Sequence, residues 1–224
     1  FIGSVNLLNI LKDLGFNLFI NASSSSEYGL LSKEYDENDL PNPIDVYGVT
    51  KLAFTNYCRM LSLTEGLPIV TLRLFSPYGY YESPLRLIPY LIINMLKNNE
   101  IILNTPYAKR DFIFIEDVID AFIKTAGKIQ KIPNGTIVNI GSRNEYTVIE
   151  VFEILNNIIR NKSNYKVSNN YFLKDKLPVW KANIKKAKEI IGWEPKYNLE
   201  EGLTKNVDWF KKNFELYEGL NYEP

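Results

Sequence analysis

Apolar residues recur along the chain in two alternating rhythms. Val5, Leu7, Leu8 and Leu11 share one face at helical spacing, and Gly15 follows them, so residues 4–14 are predicted to form a helix with a glycine stop. Residues 16–23 (FNLFINAS) read as a buried strand. After a polar loop over residues 32–45, Val49, Leu52, Ala53, Tyr57 and Met60 return to helical spacing, and a long helix is predicted over 47–63. Residues 68–75 contain the run IVTLRLF, nearly all apolar and β-branched, as in a parallel strand covered on both faces. Strands alternating with helices of this length predict right-handed β-α-β units and a doubly wound parallel sheet.

Further on, the pattern predicts a helix over 87–97, a strand over 111–115 (DFIFI) and a helix over 116–126 with an acidic first turn, which the helix dipole favours. A strand over 136–140 and a helix over 147–160 follow. The last helical stretches are expected at 183–191 and 199–214, and the Asn/Lys-rich run 161–170 reads as a surface loop.

Composition narrows the chemistry. Apolar residues form 46% of the 224-residue chain, enough for a sizeable core. The 26 basic and 26 acidic residues cancel, which argues against general nucleic-acid binding while leaving room for a local anion site. Cys58 is the single cysteine, so no intramolecular disulfide forms, and a reducing, cytoplasmic setting is expected. With no histidine in the sequence, Ser-His-Asp and Cys-His catalysis and histidine-ligated zinc are excluded. Proton transfer falls to Tyr, Lys, Asp, Glu, Cys or water. The longest apolar run, 85–96, is short of a membrane span and contains Arg86, Pro89 and Asn94, so no membrane association is expected. Phe1-Ile2-Gly3 lacks the basic start of a signal peptide, and the chain is expected to begin partway through an element.

The chemically informative segments are SSSSEYG at 23–29 and YGVTK at 47–51. On a helix, Tyr47 and Lys51 lie one turn apart on the same face. An ammonium so placed favours the phenolate form of a phenol, which suits it to acid-base work. A serine at the end of the preceding strand could hold the same substrate oxygen. Ligands of open α/β sheets bind at the carboxyl ends of strands, where both segments are predicted to lie.

Together with TLRLFSPYG at 71–79, RLIPYLI at 86–92, RDFIFIEDVIDA at 110–121, VNIGS at 138–142 and IGWEPKYNLEEGL at 191–203, these segments resemble the extended short-chain dehydrogenase/reductase family, in its nucleotide-sugar epimerase/dehydratase branch. The resemblance covers nearly the whole chain. It implies a Rossmann-like parallel sheet lacking its first strands, with a smaller C-terminal α/β substrate-binding region. Residues 1–80 would be the C-terminal part of the dinucleotide-binding domain. Residues 81–224 would be mainly substrate-binding, with segments at about 110–142 returning to the first domain.

By the same resemblance, Tyr47 is the catalytic acid/base, Lys51 binds the nicotinamide ribose, and Ser24 is the catalytic Ser/Thr. Ala22, Ser23, Phe75 and Pro77 join Tyr47 and Lys51 around the cofactor, NAD or NADP. Ser24, Ser25, Ser76, Arg86, Leu87 and Arg110 face the nucleotide-sugar substrate, with Arg110 on its diphosphate. The competing reading of Arg110 is a structural ion pair with Asp111 or Glu116. The resemblance also implies a homodimer.

The sequence departs from the family pattern at four places. It has no G-x-x-G-x-x-G run, so the chain is expected to be an N-terminally truncated portion that binds the dinucleotide poorly alone. Ser25 and Ser26 stand where dehydratases carry acids, and Glu27 lies one place later. A second phosphate-binding arginine before Leu177-Pro178 is missing, with Lys174 or Lys176 as stand-ins, and Ser76 replaces a common asparagine. The expected activity is an NAD(P)-dependent nucleotide-sugar epimerase or close 4-ketoreductase. The alternatives are a 4,6-dehydratase recruiting Glu27, and a non-catalytic nucleotide-sugar-binding protein.

Overall fold

The computed structural model describes residues 1–160, 162–168 and 179–218. In chain order, the N-terminal half contains α1 (Ile2–Leu14), β1 (Phe19–Ser24), α2 (Val46–Glu65), β2 (Ile69–Leu74), β3 (Pro77–Tyr78), α3 (Leu87–Lys97), β4 (Ile101–Leu103), β5 (Lys109–Arg110) and β6 (Ile113–Phe114). The remainder contains α4 (Ile115–Gly127), β7 (Ile137–Ile140), β8 (Tyr146–Thr147), α5 (Val148–Ile159), β9 (Tyr165–Val167) and α6 (Leu199–Lys212).

The central sheet is parallel, ordered β1–β2–β7, with Ala22 opposite Leu72 and Leu72 opposite Val138. Alternation along β2 explains why it is covered on both sides. Val70 and Leu72 point into a core with Val138, Ile140, Val118, Ala121 and Trp193. Ile69 points the other way, into a core with Leu8, Phe54, Cys58 and Leu61 from α1 and α2. Thr71 and Arg73 share that second face but meet a polar layer. Asn21 donates to Thr55 and Thr71, both at 3.3 Å, and the Arg73 Nε donates to Glu27 at 2.7 Å. A third core gathers α3, α5 and α6 around Leu91, Ile92, Val151, Leu155, Leu203 and Phe210. The predicted α/β fold with its parallel sheet is therefore present.

Two predicted elements differ from those observed. The strand expected at 111–115 is only Ile113–Phe114, paired with Pro77–Tyr78, while Lys109–Arg110 pairs antiparallel with Tyr146–Thr147. The run breaks because Asp111 turns inward. Its carboxylate accepts from the backbone N–H groups of Ser142 (2.6 Å), Arg143 (3.2 Å) and Ala182 (2.9 Å) and from the Ser142 hydroxyl (2.7 Å). The stretch at 183–191 contains a wide π turn, Ala187–Ile191, which ends at Gly192 with Trp193 N donating to Ala187 O at 3.2 Å. The helices at 87–97 and 147–160 keep their expected places. The second begins with a capping box in which Thr147 and Glu150 satisfy each other's backbone N–H. The run 161–170 is described only in part, and Lys174, Lys176 and Leu177-Pro178 lie outside the described residues.

Candidate active site

β1 ends at Ser24, and the chain turns at once into a single 3-10 turn, Ser25–Tyr28. The Ser24 hydroxyl caps that turn by accepting from Ser26 N at 3.2 Å. Gly29 closes it at φ 72°, with the Asn42 carbonyl packed where a Cβ would lie. Only glycine gives both this backbone angle and this approach. The loop then returns to α2, whose N-cap Asp45 accepts from Gly48 N at 2.6 Å. A Cβ on Gly48 would lie 2.5 Å from Ser26 O. The bare backbone at Gly48 is thus what lets the first turn of α2 press against the serine loop, and it places Tyr47 and Lys51 beside β1.

Tyr47 is 54% exposed, and the Lys51 ammonium lies 5.7 Å from its ring centroid. Lys51 Nζ donates to Ala22 O at 3.0 Å, crossing from α2 to the strand. That contact uses one of the three donors of an ammonium and leaves two for a ligand diol. These residues fit the nicotinamide-ribose end of a dinucleotide, while the sequence has no glycine-rich run for its pyrophosphate.

The other expected residues divide into two sets. Ser76, Pro77, Arg86, Leu87 and Arg110 line one cavity of about 270 Å³. Ser24, Ser25, Tyr47 and Lys51 do not line it, and Ser24 and Ser25 are buried at 8% and 3% exposure. Phe75 is fully buried and packs edge-on against Tyr35, 5.7 Å between ring centroids. Ala22 is exposed at the strand end, and Ser23 is buried.

Arg110 pairs with neither Asp111 nor Glu116. Asp111 is taken by the donors described above, and Glu116 by Tyr80 (2.8 Å), Tyr197 (2.7 Å) and Lys205 (2.7 Å). Arg110 instead stacks over Trp180, 4.8 Å from the ring centroid, and donates to Lys109 O at 2.7 Å. Burial, with the nearby Arg86 charge also acting, moves its pKa down from the ordinary arginine value. Two guanidinium groups converging on one cavity, with no carboxylate on Arg110 among the described residues, suit an anion bound bidentately.

Glu27 is 0% exposed. It receives the hydroxyls of Ser23 and Thr55, the latter at 2.6 Å, and the Arg73 Nε, and Arg73 in turn lies over the Tyr28 ring at 4.5 Å. Burial raises the pKa of Glu27, and Arg73 and the Thr55 hydroxyl counter that shift. Sequence reading missed this network and also missed Glu82, Thr105 and Trp180 around the arginines. The one available signal was Arg73, a base embedded in the strand predicted to be buried over 68–75, while Glu27 lay past the end of the strand predicted over 16–23.

Residues 1–141 match the NAD dependent epimerase/dehydratase family. Over 225 residues the chain is 31% identical to the UDP-glucuronate 4-epimerase of Thermodesulfobacterium geofontis (strain OPF15), covering 97% of this chain and 67% of that protein. It is 30% identical over 214 residues to the uncharacterized UDP-glucose epimerase YtcB of Bacillus subtilis (strain 168), covering 95% of this chain and 66% of that protein. It also superposes on the solved structure of dTDP-glucose 4,6-dehydratase from Bacillus anthracis str. Ames in complex with NAD, with a TM-score of 0.84 and 27% identity. That match covers 96% of this chain and 68% of the other. The chain spans about two thirds of the length of the curated relatives it matches.

Proposed function

Because the chain belongs to the NAD dependent epimerase/dehydratase family, we propose that it serves a nucleotide-sugar epimerase, or a close 4-ketoreductase, with Tyr47 as acid/base. The observation that carries this reading is the Tyr47–Lys51 pair, held against the end of β1 by the contact of Gly48 with the serine loop. When bound, NAD or NADP supplies the hydride acceptor and donor. The Tyr47 oxygen removes the proton of a sugar hydroxyl, and the Ser24 hydroxyl steadies the same oxygen. Lys51 holds the ribose diol with its two remaining donors and keeps positive charge beside the phenol. Arg110 and Arg86 grip the substrate diphosphate in the cavity, and Leu87 and Pro77 give its walls. Residues 1–80, with the returning segment at about 110–142, form the cofactor side of this arrangement, and the remainder of 81–224 forms the substrate side.

Dehydration has weaker support in the site. Glu27, the acid it would recruit, is fully buried and turned into the Arg73 network. A homodimer is part of the proposal, since α1 and α2 leave Leu7, Ile10, Val49, Met60 and Leu63 exposed. No described helix is long and apolar enough to cross a membrane.

The test is turnover of UDP- or dTDP-hexoses with added NAD, followed by separation of the product sugars. Tyr47→Phe is expected to lower kcat by about 10²- to 10⁴-fold with the fold intact. Turnover unchanged by Tyr47→Phe would remove the assignment, and a 4-keto-6-deoxy product would replace epimerisation with dehydration.

A further inference from the structure

Among the described residues, the cavity that holds Arg86 and Arg110 is lined by one acid, Glu82. Its side chain is only 17% exposed. Oε1 lies 3.5 Å from the Arg86 Nε, a loose contact to a side chain that is itself 67% exposed. Oε2 is buried and has no hydrogen-bond partner. A buried carboxylate oxygen without a donor is costly, and the simplest donor it can gain is a proton of its own.

The backbone fixes this position. Tyr81, next in the chain, holds a positive φ of 57°, and the Tyr217 hydroxyl donates to the Glu82 carbonyl at 3.1 Å. Glu82 is therefore held at the cavity, whereas Arg86 is mostly exposed. The charged and titratable groups facing it are few. Arg86 comes from its own loop, and Arg110 from β5 and Tyr78 from β3 line the same cavity, while the Tyr217 hydroxyl meets only the Glu82 backbone carbonyl.

We propose that Glu82 is the exchangeable counter-ion of Arg86: it holds Arg86 when no ligand is present, and a nucleotide-sugar diphosphate takes Arg86 from it while a solvent proton settles on Glu82. The inference rests on the reading of this cavity as the diphosphate site. The proton is passed through solvent from the buffer acid: one O–H bond forms at the carboxyl as one bond to hydrogen breaks in the buffer acid, and no other covalent bond changes. In this role Glu82 is a positioning residue that acts through Arg86.

Burial, opposed by Arg86 and by the nearby Gly79 backbone N–H, already pushes the Glu82 pKa up to about 7. Losing Arg86 and gaining two phosphate charges nearby moves it further in the same direction. A group whose pKa is higher in the complex supports binding fully below its pKa in the free protein. That support is lost as pH rises toward its value in the complex. Affinity should therefore be flat below pH 7 and weaken above it, by up to about tenfold per pH unit.

The probe is UDP-glucose, with dTDP-glucose in a parallel arm, because neither diester diphosphate titrates near neutrality. Calorimetry at pH 7.5 in two buffers of different ionisation enthalpy counts the protons taken up. We expect net uptake with the unaltered chain and none with Glu82→Gln, whose Kd should also be tighter above pH 7 and independent of pH. Arg110→Gln should weaken binding and keep the uptake. Binding that depends on Arg110 but takes up the same protons with and without Glu82 would overturn this inference alone. Absence of Arg110-dependent binding by either probe would overturn it together with the cavity assignment.

Discussion

Arg73 carries a full positive charge at 2% exposure, with one donor, Nη1, left without a partner. Such a side chain persists only because Glu27 lies against it and the Tyr28 ring covers its plane. The pair holds the serine loop from beneath, since Glu27 also takes the Ser23 hydroxyl. Removing one partner leaves an uncompensated buried charge. Glu27→Ala is expected to cost about 3–5 kcal/mol in urea unfolding, and Arg73→Met a similar amount. The double variant Glu27→Ala/Arg73→Met should cost less than the sum of the two, because no charge is then stranded. Additive losses would show that the pair does not act as a unit.

At the scale of elements, α2 is placed by what its first turn lacks. Gly48 has Ser26 O where its Cβ would be, and backbone on both sides of the contact can yield only by separating the helix from the loop. Gly48→Ala should therefore displace Tyr47 from the end of β1. Catalysis responds steeply to such shifts, because a misplacement of about 1 Å can cost on the order of 100-fold in rate. The expected outcome is a kcat lowered by about 10- to 100-fold with the thermal midpoint lowered by only a few degrees. A variant that keeps full turnover would show that the close approach is dispensable. The ends of α5 and α6 have a different logic, in which Thr147–Glu150 and Asn198–Glu201 capping boxes fix where each helix starts.

At the scale of the whole molecule, Trp193 ties segments far apart in sequence. It is fully buried in the core beneath β2 and β7, and its ring N–H donates to Asp117 O at 3.0 Å. The Asp117 carboxylate in turn accepts from Lys196 N at 2.9 Å and Tyr197 N at 3.2 Å, which leads the chain into α6. Trp193→Ala removes a large side chain and a hydrogen bond at once. It should destabilise the protein by about 3–5 kcal/mol, read from denaturant unfolding. Tryptophan fluorescence, shared with Trp180 and Trp209, should fall in the same variant. A loss under about 1 kcal/mol would mean that α4 and α6 do not depend on this anchor.

The sequence by itself determined the elements whose periodicity is long and uninterrupted: α2, β2, α3 and α5 lie where their apolar spacing put them. Local chemistry carries that information, since a face repeating at helical spacing or a continuous apolar run must be buried somewhere. It also brought Tyr47 and Lys51 one turn apart, and its family resemblance marked Arg86 and Arg110 separately as substrate-facing positions. Tertiary structure alone decided the rest. The strand predicted at 111–115 broke because Asp111 found donors at Ser142, Arg143 and Ala182, far along the chain. Glu27 became a buried counter-ion because Arg73 faces it across the sheet's polar layer, a contact 46 residues distant in sequence. Glu82 looked like an ordinary loop acid until the fold put it in one cavity with two arginines and left an oxygen unpaired. Burial and charge pairing are properties of what comes together in space, so the side chains whose roles depend on them are legible only after folding.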